Sequence, residues 1–145
     1  KYGTSGVVYA SRPLVLGGKK IENFGFRFEK GKVVEVLAQE GKEMLEALIS
    51  TDENAGYLGE AALVEYHSPI SMSGLVYYTT LIDENASCHL ALGRGLNSSP
   101  AGHEDLFNDS TIHVDFMIGT PDMKIVGTTE SGEEVEIFRN GDFAI

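Results

Sequence analysis

The string IHVDFMIG, residues 112–119, sets an imidazole and a carboxylate two positions apart in a run that is otherwise apolar. On a strand, residues i and i+2 project from one face, roughly 6.5 to 7 Å apart along the backbone. His113, Asp115 and Met117 are therefore expected on one face, with Val114, Phe116 and Ile118 on the other. A neutral imidazole beside a carboxylate offers lone pairs to zinc, cobalt or manganese at negligible protonation cost near neutral pH. The same dyad also suits a plain His–Asp hydrogen bond or a solvated strand face, and two residues do not choose between these.

Two further strings carry compatible groups. In DENASCHLALG, Asp83 and Glu84 precede an Asn-Ala-Ser turn, and His89 opens an alternation that continues through Ala91 and Gly93. Glu84 and His89 can converge across that turn, although their spacing is not that of a zinc-binding HExxH helix, and a solvated acidic loop is the alternative. In GYLGEAALVE, Glu60 starts an apolar strand on the side of Ala62 and Val64. A carboxylate on that face is expensive to bury unless a cation meets it, so Glu60 is either a ligand or an exposed strand edge. Gly56 and Gly59 before it leave room for close approach.

Other groups lead elsewhere. His67 is expected in a loop before Pro69, and His103 in a long polar loop. Cys88 and its neighbour His89 face opposite ways on a strand, so they do not form a thiolate–imidazole pair, and Cys88 reads as a buried inert thiol. No glycine string follows a strand and opens a helix in the way a phosphate cradle requires, and no Asp-x-Asp-x-Asp-Gly calcium loop is present. Acidic residues outnumber basic ones 22 to 11, for a net charge of −11, which disfavours nucleic acid or an anionic membrane as partner and favours divalent cations. No apolar run approaches the roughly 18 residues of a membrane span, and no signal segment is read. The single cysteine fits a reducing compartment, the cytoplasm.

The elements that must position these groups are short. At 145 residues, one domain covering 1–145 is expected, with one core. FGFRFEKGKVVEVLA alternates Phe24, Phe26 and Phe28 before a Lys30–Gly31 turn, the period of a β-hairpin, and Gly17–Gly18 break the preceding apolar run. Met44, Leu45, Leu48 and Ile49 recur at helical spacing and predict one main helix from Lys42 to about Ser50. Strands are expected in EAALVEY, SGLVYYTTL, SCHLALG, TIHVDFMIG, MKIVGTT and EVEIFRNG, the last two forming a hairpin that turns at Ser131–Gly132. Arg94 to Ser110 is the longest stretch without period and reads as a mobile surface loop. The fold class is α+β, strand-dominated with β-hairpins and one main helix.

LGEAALVEYHSPISMSGL, TLIDENASCHLALG and IHVDFMIGTPDMKIVGTTESGEEVEIFRNGDFA, in that order, resemble the carboxy-terminal part of the aminopeptidase T and aminopeptidase S family of two-metal exopeptidases. The similarity runs from about Gly6 to Ala144 and includes the ending FRNG. The resemblance implies release of amino-terminal residues from peptides in the cytoplasm, two divalent ions, and a homodimer. It implies that Glu60 is a ligand and the bridging carboxylate, that His89 is a ligand, that His113 and Asp115 are a ligand pair, and that Glu84 is a ligand or a partner of one. Two cations roughly 3.5 to 4 Å apart can activate a water, polarise the scissile carbonyl and receive the free α-amine. The chain also departs from the family pattern. A family glutamate string resembling PTEEVFT falls just before the region matching Lys1, Leu96 stands where a tyrosine is usual, and the stretch from Gly95 to Ser110 is shorter. The chain is therefore expected to be a fragment or truncated form, with a catalytically inactive remnant serving as a structural or assembly domain as the alternative.

Overall fold

A computed structural model describes residues 1–145 apart from Asn97, Ser99, Pro100 and Ala101 and the side chains of Thr80 and Glu104. β1 (Gly6–Tyr9) leads into a small hairpin of β2 (Leu14–Leu16) and β3 (Lys19–Ile21), then into the long hairpin β4 (Phe24–Glu29) and β5 (Lys32–Ala38). α1 (Lys42–Ile49) follows, then β6 (Leu58–Ala62), α2 (Pro69–Ser73), α3 (Thr80–Asp83), β7 (His89–Gly93) and β8 (His113–Met117). β9 (Ile125–Thr128), β10 (Glu134–Arg139) and β11 (Asp142–Phe143) end the chain. The class is the α+β mix expected, with α1 the longest helix.

The expected phenylalanine face of β4 is the centre of the core. Phe24, Phe26 and Phe28 are buried, and a bulge against β5 lets Val33 and Val36, three apart, both reach the same side. α1 covers that sheet with Leu45, fully buried, and with Met44 and Ile49. The second contributor is the antiparallel sheet β6-β7-β8, whose Leu92 and Phe116 join the same cluster. The rings of Phe26 and Phe116 pack edge to face at 5.2 Å between centroids. Burying such a side chain is worth about 1.5–3 kcal/mol, and here it fixes the back of β8 so that its front is presented in one orientation.

Two expectations fail. SGLVYYTTL is not a strand. Ser68 caps α2 by accepting from the Ser71 amide at 3.1 Å, Pro69 opens the helix, and Gly74 ends it in the left-handed conformation. The following amides of Tyr77 and Thr79 bond to the Asp83 carboxylate at 2.8 and 3.1 Å, which turns the chain into α3. Local side-chain hydrogen bonds thus displace the pairing that the apolar residues alone suggest. The loop reading of Arg94–Ser110 is also incomplete. Asn97 and residues 99–101 lie outside the described residues, and at the loop's end Asn108 and Ser110 are buried while Asp109 between them is exposed. Asn108 donates from Nδ2 to the carbonyls of Gly93 and Asn54, and Ser110 donates to the Asp52 carboxylate, while Asn108 Oδ1 is buried without a hydrogen-bond partner among the described residues.

Among the described residues, no helix is long and apolar enough to cross a membrane.

Candidate metal centre

Three adjacent strands bring the singled-out residues onto one surface. Ala91 of β7 lies opposite Glu60 on one side and Asp115 on the other; His89 lies opposite Ala62 and Met117, and Gly93 opposite His113. Opposed residues share a face, so Glu60, His89, His113 and Asp115 project together. Leu90, Leu92 and Phe116 lie on the opposite, core side.

Glu60 reaches this face through a bulge. Leu58 pairs with Leu92 but Glu60 with Ala91, so β6 spends one extra residue, Gly59, over a single step of β7. Leu58 thereby packs on the core while Glu60, two residues later, turns to the front. A Cβ at position 59 would stand 2.3 Å from the Gly93 carbonyl oxygen and 2.6 Å from that of Arg94, so only glycine fits. The sequence pattern places Glu60 at the start of its strand; β6 in fact begins at Leu58.

The two imidazoles are held in the same tautomer. His113 Nδ1 lies 2.7 Å from the Arg94 carbonyl oxygen, and His89 Nδ1 lies 3.2 Å from that of Ser87. A carbonyl only accepts, so each ring donates from Nδ1, and a neutral ring then presents its lone pair at Nε2. Both Nε2 atoms face carboxylate oxygens. His113 Nε2 is 3.2 Å from Asp115 Oδ1 and 3.5 Å from Glu60 Oε2, and His89 Nε2 is 3.5 Å from Glu60 Oε1. Between a neutral ring and a carboxylate both groups are acceptors, a contact that either a proton or a metal ion relieves, and this set of two imidazoles and two carboxylates has the donor types that a divalent ion takes.

The donor atoms of Glu60, His113 and Asp115 all lie within 4.8 Å of one another. His89 joins through the other oxygen of Glu60. His89 and Asp115 are each only 4% exposed, which leaves little water to solvate them. Glu84, in the 3-10 turn Glu84–Ala86, stands outside the tight group but within its field. Burial first, and then the charges of Asp115 and Glu60, push its carboxyl pKa up, against an opposing pull from His89 and His113.

The remaining candidates go elsewhere, as read from sequence. His67 is exposed and pairs with Asp142, and His103 is exposed. Cys88 is buried, its thiol donating to the Val64 carbonyl at 3.3 Å, and burial pushes its pKa up. Sequence reasoning missed the carbonyls of Ser87 and Arg94 that fix the imidazoles, because backbone acceptors leave no residue-type signature. It also missed the role of Ala91, whose small side chain lies between Glu60 and Asp115; the alternation of small residues after His89 was the available signal.

Residues 1–143 match a family described as thermophilic metalloprotease (M29). The chain belongs to this M29 family. Among M29 relatives, aminopeptidase AmpS of Bacillus subtilis is 46% identical over 99% of the chain and 37% of its own length. Aminopeptidase T of Thermus aquaticus is 45% identical over 97% of the chain and 36% of its own length. The structure of wild-type AmpT from Thermus thermophilus superposes with a TM-score of 0.88 at 44% identity, covering 97% of this chain and 36% of that one. The chain thus spans somewhat over a third of the length of the M29 relatives it matches.

Proposed function

We propose that this chain carries the metal centre of an aminopeptidase that releases amino-terminal residues from peptides, using two divalent ions (zinc, cobalt or manganese) bridged by Glu60. What carries the reading is the pair of Nε2 atoms turned onto the two oxygens of one carboxylate, His89 toward Oε1 and His113 toward Oε2. On this reading His89 serves one ion, His113 and Asp115 the other, and Glu84 supports the first or orders its surroundings. Ions so held supply the Lewis acidity that polarises a scissile carbonyl and lowers the pKa of an attacking water. The protein's own contribution is orientation and field. The core behind Phe116 fixes β8, the Ser87 and Arg94 carbonyls fix the two rings, and the carboxyl groups of Glu60, Glu84 and Asp115 would offset the charge of the ions. The relatives' names, aminopeptidase AmpS and aminopeptidase T, support the peptide substrate. The proposal includes a cytoplasmic setting, from the single thiol of Cys88, a homodimer, from the family resemblance, and residues 1–145 acting as one folding unit.

The test is metal analysis of the depleted and reconstituted chain, coupled to cleavage of leucine and phenylalanine arylamides, with Glu60→Gln as comparison. Two ions per chain, falling in the variant, is the expected result. Failure of the chain to retain zinc, cobalt or manganese would sink the assignment. A second reading, an inactive domain that keeps the scaffold, draws on Leu96. It is 51% exposed and offers no hydroxyl where the family resemblance leads one to expect a tyrosine. That reading gains if metal binds stoichiometrically and no arylamide is cleaved.

A further inference from the structure

The carbonyl that orients His113 belongs to Arg94, so whatever fixes the backbone on either side of Arg94 also fixes the ring. Where β6 begins, that backbone is short of one ladder bond. The Gly93 amide donates to the Tyr57 carbonyl at 2.9 Å, but the Tyr57 amide turns to the Asn54 carbonyl at 3.0 Å instead of returning a bond to Gly93. Asn108 fills the gap. Its Nδ2 donates to the carbonyls of Gly93 and Asn54 at 2.5 and 3.0 Å, and its main-chain carbonyl accepts from the Gly95 amide at 2.9 Å. A trans peptide points its carbonyl and its amide in opposite directions within one plane. The plane between Gly93 and Arg94 is therefore held at one end by Asn108 and at the other by the bond from the Arg94 amide to the Ile112 carbonyl at 2.7 Å. In the plane between Arg94 and Gly95, Asn108 holds the amide end, and the carbonyl end is the one that meets His113 Nδ1. Asn108 is 3% exposed, so little water competes for these bonds.

We infer that Asn108 is a positioning residue of the metal centre, setting the His113 ring through the Arg94 carbonyl; the inference rests on the metal-centre reading above. Two features distinguish this role from that of a residue that only ties down a loop. The side chain meets two carbonyl oxygens, so it must offer two donors, which a primary amide does and a carboxylate or a hydroxyl does not. The clamp also reaches one imidazole only, because His89 takes its orientation from the Ser87 carbonyl at the opposite end of β7. Asp52 completes the arrangement. Its carboxylate holds the Thr111 amide and hydroxyl at 2.8 and 2.7 Å, two residues ahead of His113, so the backbone and the ring of His113 are fixed by separate groups.

The test records long-range proton–nitrogen NMR spectra of the imidazoles in the metal-free chain, in mildly alkaline solution where the rings are neutral, for the unmodified chain, Asn108→Asp and Asn108→Ala. Both substitutions remove the two donors and keep the main-chain carbonyl. His113, identified by its loss in His113→Gln, is expected to leave the single tautomer protonated at Nδ1 for a mixture, while His89 keeps its own tautomer in the same spectra. Zinc affinity, read by competition with a chromophoric chelator, should fall by about tenfold or more. A general loss of stability treats the two rings alike. Equal changes at His89 and His113, an unchanged His113 in a folded variant, or an unchanged zinc affinity therefore overturns the inference. Hydrogen exchange on the unmodified chain reads the clamp without any substitution: the Gly95 amide should be protected by about a hundredfold or more over an unstructured peptide. Exchange at the unstructured rate overturns the inference even if both variants fail to fold. Failure of the unmodified chain to bind zinc removes the metal-centre reading instead, and the ring spectra and hydrogen exchange still decide whether Asn108 sets His113.

Discussion

Ala91 has no contact with solvent and lies opposite both Glu60 and Asp115, so any ion held by those carboxylates sits above its Cβ. Replacing it by leucine leaves every proposed ligand in the sequence but fills the space they surround. The strands flanking Ala91 are about 4.7 to 4.9 Å away on each side, too close for a leucine side chain to lie flat between them. Such overpacking costs about 1–3 kcal/mol, and at about 2–5 °C per kcal/mol for a chain of this size the metal-free melting temperature should fall by about 2–15 °C. The sharper consequence concerns metal. Free ion at a hundredfold excess over Kd stabilises a protein by about 2.7 kcal/mol, so the unmodified chain should gain about 5–13 °C on addition of zinc or cobalt. Ala91→Leu should gain nothing measurable. Melting curves by circular dichroism, with chelator and with each ion, read both quantities at once. If Ala91→Leu keeps the full metal-dependent rise, the ion does not lie over Ala91, and the assignment of Glu60 and Asp115 to one centre is wrong.

Asp115→Asn should split the two states: it removes one charge from a crowded acidic face and so raises the metal-free melting temperature slightly, while abolishing the metal-dependent gain. A fall in both would mean that the carboxylate is structural. Gly59→Ala forces a methyl against the Gly93 and Arg94 carbonyls, the second of which holds His113; about 1–3 kcal/mol of stability and at least tenfold in metal affinity should be lost together, by denaturant titration and metal competition. Asp52, bonded by the Thr111 amide and hydroxyl and by Ser110, has its carboxyl pKa held well below the ordinary value of 3.8. A depressed carboxyl pKa contributes stability that is present above 3.8 and lost as pH falls below it. Asp52→Asn should therefore be less stable than the unmodified chain at pH 7 and converge with it in acid; a constant gap across pH would refute this.

Much of the scaffold was legible along the chain. The alternation of Phe24, Phe26 and Phe28, the Lys30–Gly31 turn and the spacing of Leu45 and Ile49 each have one low-energy solution, and the structure adopts it. The apolar residues of SGLVYYTTL suit a strand, whereas Gly74 within it and Ser68, Pro69 and Asp83 outside it impose helix and turn. The polarity of Asn108 and Ser110 implies exposure, yet both are buried and donate to the Gly93 and Asn54 carbonyls and to Asp52.

The sequence by itself determined that His113 and Asp115 share a face, since a strand's period of two admits no other arrangement. The face that Glu60 adopts was decided only by the tertiary structure. Gly59 adds one residue opposite β7 and reverses the parity of everything after Leu58, a choice visible only when both strands are in register. The same holds for the histidines. Their positions follow from alternation, but which nitrogen each presents depends on where the carbonyls of Ser87 and Arg94 come to rest, and that is fixed by chain segments whose own side chains carry no sign of the task.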